Sequence, residues 1–273
     1  MAGLIIFTFI PMTSSFVLSF FRWNLLSPPQ FKGVANYLEL LKNPIFWSSL
    51  KHTLYFICGY IPVVLLTGFI AAVFMNQKIK GLAFFRAAFF IPVISSWVSI
   101  SLLWMWILNP KFGLVNFLLA LVGIDGPAWL FDPAWAMPAV IATSVWKDTG
   151  YIMIILLGGL QDISPVYYEA ASIDGANFRA KLTKITLPLL TPTIFFALII
   201  SLINSFQVFE QVWVMTGGGP AGSTSVLVEQ IYKNAASYNR MGYASALSWV
   251  LFLFVFIVTR VQFRLQKRWV HYG

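Results

Sequence analysis

Six apolar stretches, each long enough to cross a membrane, alternate with shorter polar segments along this chain. A helix rises about 1.5 Å per residue, so roughly 20 apolar residues cross the hydrocarbon of a bilayer. The six predicted spans are residues 3–21, 53–75, 82–108, 134–157, 193–214 and 243–261. A β-barrel is disfavoured, because barrel strands alternate apolar and polar positions and these stretches are apolar on all sides. The pattern predicts an all-α integral membrane protein with one transmembrane domain, residues 1–273.

The composition supports a membrane location and removes several classes of site. Hydrophobic residues make up 59% of the chain and charged residues 10%, with a mean hydropathy of +0.80. Soluble proteins carry about 25% charged residues, so this chain lacks the side chains that coat a globule in water. The single cysteine, Cys58, excludes an internal disulfide and any cysteine-based metal site, and His52 and His271 are the only histidines. We therefore expect no metal site and no cofactor bound by this chain.

Basic residues are distributed unevenly between the two sets of loops. Residues 77–86 (with Lys78), residues 158–192 and the tail from residue 260 carry them at about twice the density of the alternate loops. Cytoplasmic loops are enriched in Lys and Arg, so this set is predicted to be cytoplasmic, with both termini inside. The net charge of +9 is spread among apolar segments instead of forming one basic patch, so we expect no nucleic-acid partner.

The ends of the chain and its outer loops complete the predicted topology. The first span has no basic n-region and no A-x-A-like cleavage site, which favours a membrane helix over a cleaved signal. Because the chain starts almost at the membrane, we expect that a short cytoplasmic tail is absent from this sequence. Residues 36–50 are predicted to form a helix at the membrane interface. The segment Gly217-Gly218-Gly219-Pro220 on the outer side is predicted to be a turn.

The most informative segment is the predicted cytoplasmic loop, residues 158–192. Ser164 suits a helix N-cap and Pro165 the first helical position, which predicts a short helix ending at Ile173. Gly175 suits a left-handed turn, and Asn177 suits the cap of a second helix that leads into the fifth span. On these grounds alone the loop is either an ordinary connector or a rigid docking helix.

Longer stretches of this loop resemble a known family. Glu169-Ala170-Ala171, Asp174-Gly175-Ala176 and Ile185-Thr186-Leu187-Pro188 resemble the EAA motif of binding-protein-dependent ABC importer permeases. Phe206-Gln207-Val208-Phe209 and Thr216-Gly217-Gly218-Gly219-Pro220 are similar to its carbohydrate, or maltose-type, branch. The resemblance covers nearly the whole chain. Leu182, where an aromatic is common, and Gly158, where alanine is usual, depart from the family pattern.

This resemblance implies a type I permease fold and a set of partners. The EAA loop would dock into a cleft on an ATPase, through Glu169, Ala170, Ala171, Asp174 and Gly175. The partners implied are a second permease subunit forming a heterodimer, two ATP-binding subunits, an extracytoplasmic solute-binding protein and membrane lipid. ATP and Mg²⁺ would be used by the ATPase, since this chain has no Walker A sequence and no hydrolase motif. The location implied is a prokaryotic inner or plasma membrane, crossed several times.

Polar residues inside the apolar spans are the candidates for the solute path. A Lys or Asp at the centre of a span costs about 2.5–3.5 kcal/mol, so such residues usually face a bundle interior or an aqueous cavity. Residues three apart share a helix face, so those in the fifth span predict one polar stripe. Trp146 and Tyr151, with Phe206, Phe209 and Trp213, are candidates to stack on sugar rings. The path candidates are Trp146, Lys147, Asp148, Tyr151, Asn204, Gln207 and Glu210. The alternative for the polar members is helix packing through interhelical hydrogen bonds.

Together these features predict a non-enzymatic transport subunit that carries a sugar or sugar derivative. One alternative is the same kind of permease for a polyol or glycerol phosphate. Another is an ion-coupled secondary transporter, which typically has inverted repeats or broken helices, neither of which the sequence indicates. A membrane-embedded enzyme is disfavoured because no cluster of His, Cys and Asp is present, and a scaffold would leave uptake intact when deleted.

Overall fold

The computed structural model describes residues 2–77 and 80–270, so Lys78 and His271 lie outside the described part of the chain. Within that part the fold is helical, apart from one antiparallel ribbon in which Phe21 pairs with Phe31. The strands are β1 Phe21–Arg22 and β2 Gln30–Phe31. The helices are α1 Ala2–Leu18, α2 Ala35–Lys42, α3 Pro44–Met75, α4 Leu82–Ile94, α5 Trp97–Ile107, α6 Leu114–Leu121, α7 Pro133–Gln161, α8 Pro165–Ile173, α9 Phe178–Phe206, α10 Glu210–Met215, α11 Leu227–Tyr232 and α12 Met241–Gln266.

Four described helices, α3, α7, α9 and α12, are long and apolar enough to cross a membrane. The predicted first span corresponds to α1, a shorter apolar helix. The predicted third span is not one continuous helix, because α4 and α5 meet at an angle of 104°. The break has two local causes. Pro92 removes a backbone donor near the end of α4, and the Ser96 hydroxyl caps α5 by accepting a 3.2 Å hydrogen bond from the Val98 amide.

The interfacial helix predicted over residues 36–50 is also wrong in its bounds. It is split, because α2 ends at Lys42 and the following residues already belong to α3. Asn43 caps α3 by accepting a 2.9 Å hydrogen bond from the Ile45 amide, and Pro44 takes the first helical position. The second spanning helix is therefore longer than predicted and begins nine residues earlier.

The core lies between α3 and α7, which run closely side by side. Two glycines of α3 allow this approach, since a Cβ on Gly68 would lie 2.5 Å from the Ile152 side chain and one on Gly59 would lie 2.9 Å from Ile141. Small residues let helix backbones approach in membranes, where packing replaces the hydrophobic driving force. The helix α9 packs against both α3 and α7 and completes the frame of the cavity described below.

Contacts between loops gather at the two ends of α3. At its first end, the Met241 amide donates to the Trp23 carbonyl (3.0 Å), and the Asn43 side-chain amide donates to the Tyr243 hydroxyl (3.1 Å). At its other end, Asn76 borders a cavity that Gln161 and other residues near α8 also line. Which end faces the cytoplasm remains a prediction from the basic residues.

Candidate functional site

A polar cavity of about 600 Å³ opens between α3, α7 and the break that separates α9 from α10. Four of the predicted path residues line it: Asp148, Asn204, Gln207 and Glu210. The rest of its lining consists of Phe56, Tyr60, Trp97, Ser205, Val208, Phe209, Gln211 and Val228. Small-molecule sites are typically about 300–1,000 Å³ and combine apolar or aromatic walls with a few polar groups. The cavity has that size and that combination.

Asp148 reaches this cavity from α7 and is held by a partner on α3. The Tyr60 hydroxyl donates a 2.8 Å hydrogen bond to its carboxylate. Tyr60 is itself buried and stacks on the Phe56 ring, with 5.3 Å between ring centroids. Because a buried aromatic pair fixes the hydroxyl, the carboxylate is oriented before any solute arrives.

The residues expected as a polar stripe do line the cavity, but they are not on one helix. The sequence predicts a continuous helix over residues 193–214, whereas α9 ends at Phe206 and α10 begins at Glu210. Phe209, between them, has a non-helical backbone (φ −150°, ψ −62°). Asn204 and Gln207 therefore come from the end of one helix and Glu210 from the start of the next, and all three side chains are exposed in this chain.

Trp146, Lys147 and Tyr151 are predicted path residues that the structure places outside the cavity lining. The physical reason is the helical rotation of about 100° per residue, which sends neighbouring side chains in different directions. Trp146 lines an apolar groove with Ile141 and makes an edge contact with the Trp104 ring, 5.5 Å between centroids. Tyr151 is exposed on the surface of α7.

Lys147 points instead to the break between α4 and α5. Its side chain is buried, the ammonium donates a 3.1 Å hydrogen bond to the Val93 carbonyl, and it lies 4.6 Å from the centroid of the Trp97 ring. One turn further along α7, a Cβ on Gly150 would lie 1.9 Å from the Phe89 carbonyl oxygen. The helix α4 therefore packs directly on this face of α7. The two backbones touch at Gly150 and Phe89, and the Lys147 ammonium binds the Val93 carbonyl one turn away.

Two of the aromatic candidates also lie outside the cavity lining. Phe206 is buried in the core, and Trp213 packs on Phe209 and on Tyr232, with centroids 6.0 and 4.8 Å apart. Phe209 alone of the three lines the cavity. The aromatic groups that face the cavity with it are Phe56, Tyr60 and Trp97. Sequence reasoning missed these three because they lie in apolar stretches where an aromatic side chain is most often a packing residue.

The loop with the EAA-like sequence has the local structure that its residues predict. The helix α8 spans Pro165–Ile173, Gly175 has φ +73°, and Asn177 caps the next helix by accepting a 2.9 Å hydrogen bond from the Ala180 amide. Ser164 stands at the N-cap position, but its side chain makes no capping hydrogen bond in the structure.

The α8 segment presents its surface outward and is anchored from behind. Glu169, Ala170, Asp174 and Gly175 are exposed, and Ala171 is half-buried. Ile173 is 87% exposed, so an apolar side chain stands in the open at the end of the helix. The Tyr168 hydroxyl lies 3.0 Å from the Thr186 hydroxyl, which ties the helix to α9. One face of α8 is therefore exposed, while Tyr168 on its other side contacts α9.

The glycine-rich segment, residues 217–220, lies in a turn region, as predicted, and is tied to the residues that follow it. The Thr224 hydroxyl donates to the Gly219 carbonyl (2.7 Å), and the Lys233 ammonium donates to the Gly217 carbonyl (3.3 Å). Beneath the loop lies Glu229, which is fully buried, accepts a 2.7 Å hydrogen bond from the Ser225 hydroxyl and pairs with Lys233. The partners of the carboxylate are close in sequence, but its burial comes from the packing of α11 on α3 and α12, which are distant along the chain.

Three comparisons with known proteins bear on this chain. The family model described as the inner membrane component of binding-protein-dependent transport systems matches residues 52–271. The chain is 35% identical to a lactose transport system permease protein of Rhizobium radiobacter, covering 94% of this chain and 88% of the relative. It is also 35% identical to a sulfoquinovosyl glycerol transport system permease protein of Agrobacterium fabrum, covering 90% and 81%.

Among solved structures, a chain of a bacterial alginate ABC transporter in complex with an alginate pentasaccharide-bound periplasmic protein is similar to this one. The TM-score is 0.86 at 23% sequence identity, and the match covers 100% of this chain and 92% of the other. At that identity the likeness shows the fold alone, which is that of an ABC importer permease.

Proposed function

Because the chain belongs to the binding-protein-dependent family of ABC importer permeases, and within it to the sugar importers, we propose that it passes an uncharged sugar through the Asp148 cavity. It is a transport subunit and not an enzyme, and it is a multi-pass membrane protein that works with a solute-binding protein as part of an ABC system. The observation that carries the proposal is the joint lining of one cavity by Asp148, Asn204, Gln207 and Glu210.

The chemistry of this lining suits sugar hydroxyls. Carboxylates and amide oxygens accept hydrogen bonds from hydroxyls, amide N–H groups donate to them, and aromatic rings such as Phe209 and Trp97 offer flat apolar surfaces to the ring faces. A purely apolar solute would leave these polar groups unpaired, which disfavours it strongly.

Charge separates an uncharged sugar from the anionic alternative, glycerol phosphate. Among the described residues that line the cavity, the charged side chains are Asp148 and Glu210, both acidic. A glycerol phosphate or another anionic solute would meet two carboxylates at short range, an interaction that is more unfavourable in a membrane interior than in water. The relatives include permeases named for a neutral sugar and for a sulfonated one, so the charge preference is argued from this cavity and not from them.

We further propose that α8 couples the chain to an ATPase. Glu169, Ala170, Ala171, Asp174 and Gly175 would form the docking surface, and ATP with Mg²⁺ would be hydrolysed by that partner. Support comes from the exposed outer face of α8 and its anchoring to α9 through Tyr168. A rigid helix on a fixed base transmits a displacement, whereas a mobile loop would absorb it.

The remaining parts of the proposal concern the partner subunits and the membrane in which the complex lies. A second, non-identical permease would face this chain, two ATP-binding subunits would lie on the side of α8, and the whole would sit in a prokaryotic inner or plasma membrane. The broken pair α4 and α5 is a feature also found in secondary transporters, and it is the one sharply bent pair of spanning length among the described helices. The family membership favours the ATP-driven mechanism.

A deletion strain tests the substrate class. Uptake of radiolabelled lactose, maltose, trehalose, sorbitol and glycerol 3-phosphate is compared in the parent, the deletion and the complemented strain. The proposal predicts that uptake of at least one of the three sugars is lost and restored, with the other two solutes unaffected. Loss confined to sorbitol or glycerol 3-phosphate would overturn it.

A further inference from the structure

Trp97 occupies an unusual position, since it is the first residue of α5 and its side chain also lines the cavity. It follows the 104° break between α4 and α5, a place where backbone groups lose their helical partners. The indole ring at such a break keeps a fixed position only if another side chain stabilises the backbone there.

The group that holds the break is the Lys147 ammonium, which reaches it from α7. It donates to the carbonyl of Val93, one of the last four carbonyls of α4, whose neighbours Ile91 and Pro92 accept hydrogen bonds from Ser95 instead. Positive charge is also favoured at a helix C-terminus. The same ammonium lies 4.6 Å from the Trp97 ring centroid, within the range of a cation–π contact.

The burial of Lys147 makes its contacts with Val93 and Trp97 important, because burial alone disfavours a charged side chain. Only 5% of the residue is exposed, and an ammonium in such a place is retained when hydrogen bonds and nearby charge compensate its lost hydration. The contact between Gly150 and Phe89 fixes α4 on α7 one turn away, so the ammonium acts on a helix that is already in register.

We propose that Trp97 is an aromatic wall of the sugar path and that Lys147 is a positioning residue that holds its ring in place through the helix break. This inference rests on the proposed sugar path and goes beyond it by assigning a contact residue and its support. The neighbouring Asp148 faces the cavity directly, so the two adjacent residues of α7 serve the same site by different routes.

The wall is tested by thiol labelling of the assembled importer in a Cys58→Ser background. Trp97→Cys is compared with Val98→Cys, whose side chain is the next along and is exposed outside the cavity lining. The reagent is a cationic, membrane-impermeant methanethiosulfonate, added with and without the sugar that gives the fastest uptake among lactose, maltose and trehalose. We expect labelling at position 97 that the sugar slows at least about threefold, with no sugar effect at position 98. Absence of labelling or of protection at position 97 overturns the wall assignment.

The support is tested by a double-mutant cycle on the uptake of the same sugar. Lys147→Met and Trp97→Ala should each lower the rate about three- to tenfold, and the double variant should be no worse than Trp97→Ala alone. Lys147→Arg should retain most of the rate, because a guanidinium also donates to a carbonyl and stacks on an indole.

The positioning role would be overturned if the double variant lost uptake by the product of the two single losses. It would also be overturned if Lys147→Arg took up sugar as slowly as Lys147→Met. If Lys147→Met does not reach the membrane, Lys147→Gln replaces it, since it keeps a donor without the charge, and the same non-additivity is required. Sugar protection at position 97 tests this inference, and the strain panel above tests the proposed function, so the two failures are distinguishable.

Discussion

Tyr60 on α3 donates a 2.8 Å hydrogen bond to Asp148 on α7, and this contact joins the two helices at the wall of the cavity. The tyrosine is buried and the carboxylate faces the open space. The pair therefore links the packing of the core to the orientation of a group that can bind a solute.

Removal of this hydroxyl is expected to impair transport. Hydrogen bonds to charged groups are worth about 1.5–3 kcal/mol, and the open cavity reduces that value, so Tyr60→Phe should lower the rate of sugar uptake about tenfold. The control is Tyr55→Phe on the same helix, which removes a hydroxyl from an exposed tyrosine and should leave uptake unchanged. Equal rates for the two variants would show that the contact has no part in transport.

Each polar residue at the break after α9 is expected to contribute to sugar uptake on its own. Asn204→Ala, Gln207→Ala and Glu210→Gln should each reduce uptake by about three- to tenfold through loss of one hydrogen bond to the solute, with the ATPase still bound. Gln77→Ala serves as the control, because Gln77 is an exposed amide at the far end of α3. Unchanged uptake in all three variants argues against a path through this cavity.

Changes on α8 are expected to separate assembly from membrane insertion. Ala170→Trp places a bulky ring on the exposed docking face, and Gly175→Val forces a β-branched residue into φ +73°, a conformation that costs such residues more than about 1–2 kcal/mol. Both variants should insert normally but fail to retain the ATPase on purification. Gly158→Ala is the control, since a Cβ there meets nothing within 4 Å. Normal co-purification and normal uptake in both variants would exclude the coupling role.

Two glutamates, one buried and one at the surface, predict unequal losses of stability. Glu229 is fully buried and accepts from the Ser225 hydroxyl and the partly exposed Lys233 ammonium, so Glu229→Ala leaves the buried Ser225 hydroxyl without this acceptor and should cost about 1–3 kcal/mol. Glu39 pairs with Arg240 at the surface, and Glu39→Ala should cost less than about 1 kcal/mol. Thermal unfolding of the purified chain in one detergent measures both. A similar loss for the two variants would contradict the burial of Glu229.

The close contact between α4 and α7 makes a further prediction about packing. Gly150→Ala would place a methyl 1.9 Å from the Phe89 carbonyl, so the two helices must separate. We expect a loss of about 1–3 kcal/mol, the usual cost of overpacking, and an altered labelling of Trp97→Cys. Gly158→Ala again provides the control, because it adds the same methyl in open space on the same helix.

Local signals predicted local structure well. The bounds of α8, the left-handed Gly175 and the Asn177 cap follow from residues that act within one or two turns of themselves. The EAA-like sequence extended this to a family, which the comparisons show.

The broken helices were not predicted, for two different reasons. The break before Trp97 carries signals in Pro92 and Ser96, but the apolar run from residue 82 to residue 108 outweighs them in any window average. The break at residues 207–209 contains neither proline nor glycine, so only tertiary packing sets its position.

The sequence also could not predict which side chains of α7 face the cavity. Lys147 and Asp148 are adjacent and both charged, and nothing local tells which one faces the cavity. The answer depends on Val93 and Tyr60, which lie on other helices. Partners that are distant along the chain decide such questions.

The most direct test of the central claim is uptake into proteoliposomes that contain the purified importer. Radiolabelled sugar accumulation is measured with ATP and Mg²⁺ on the ATPase side, in the presence of the loaded solute-binding protein, with and without imposed ion gradients. We predict accumulation that requires ATP, is indifferent to the gradients and falls in Glu210→Gln. Accumulation driven by an ion gradient without ATP would contradict the account.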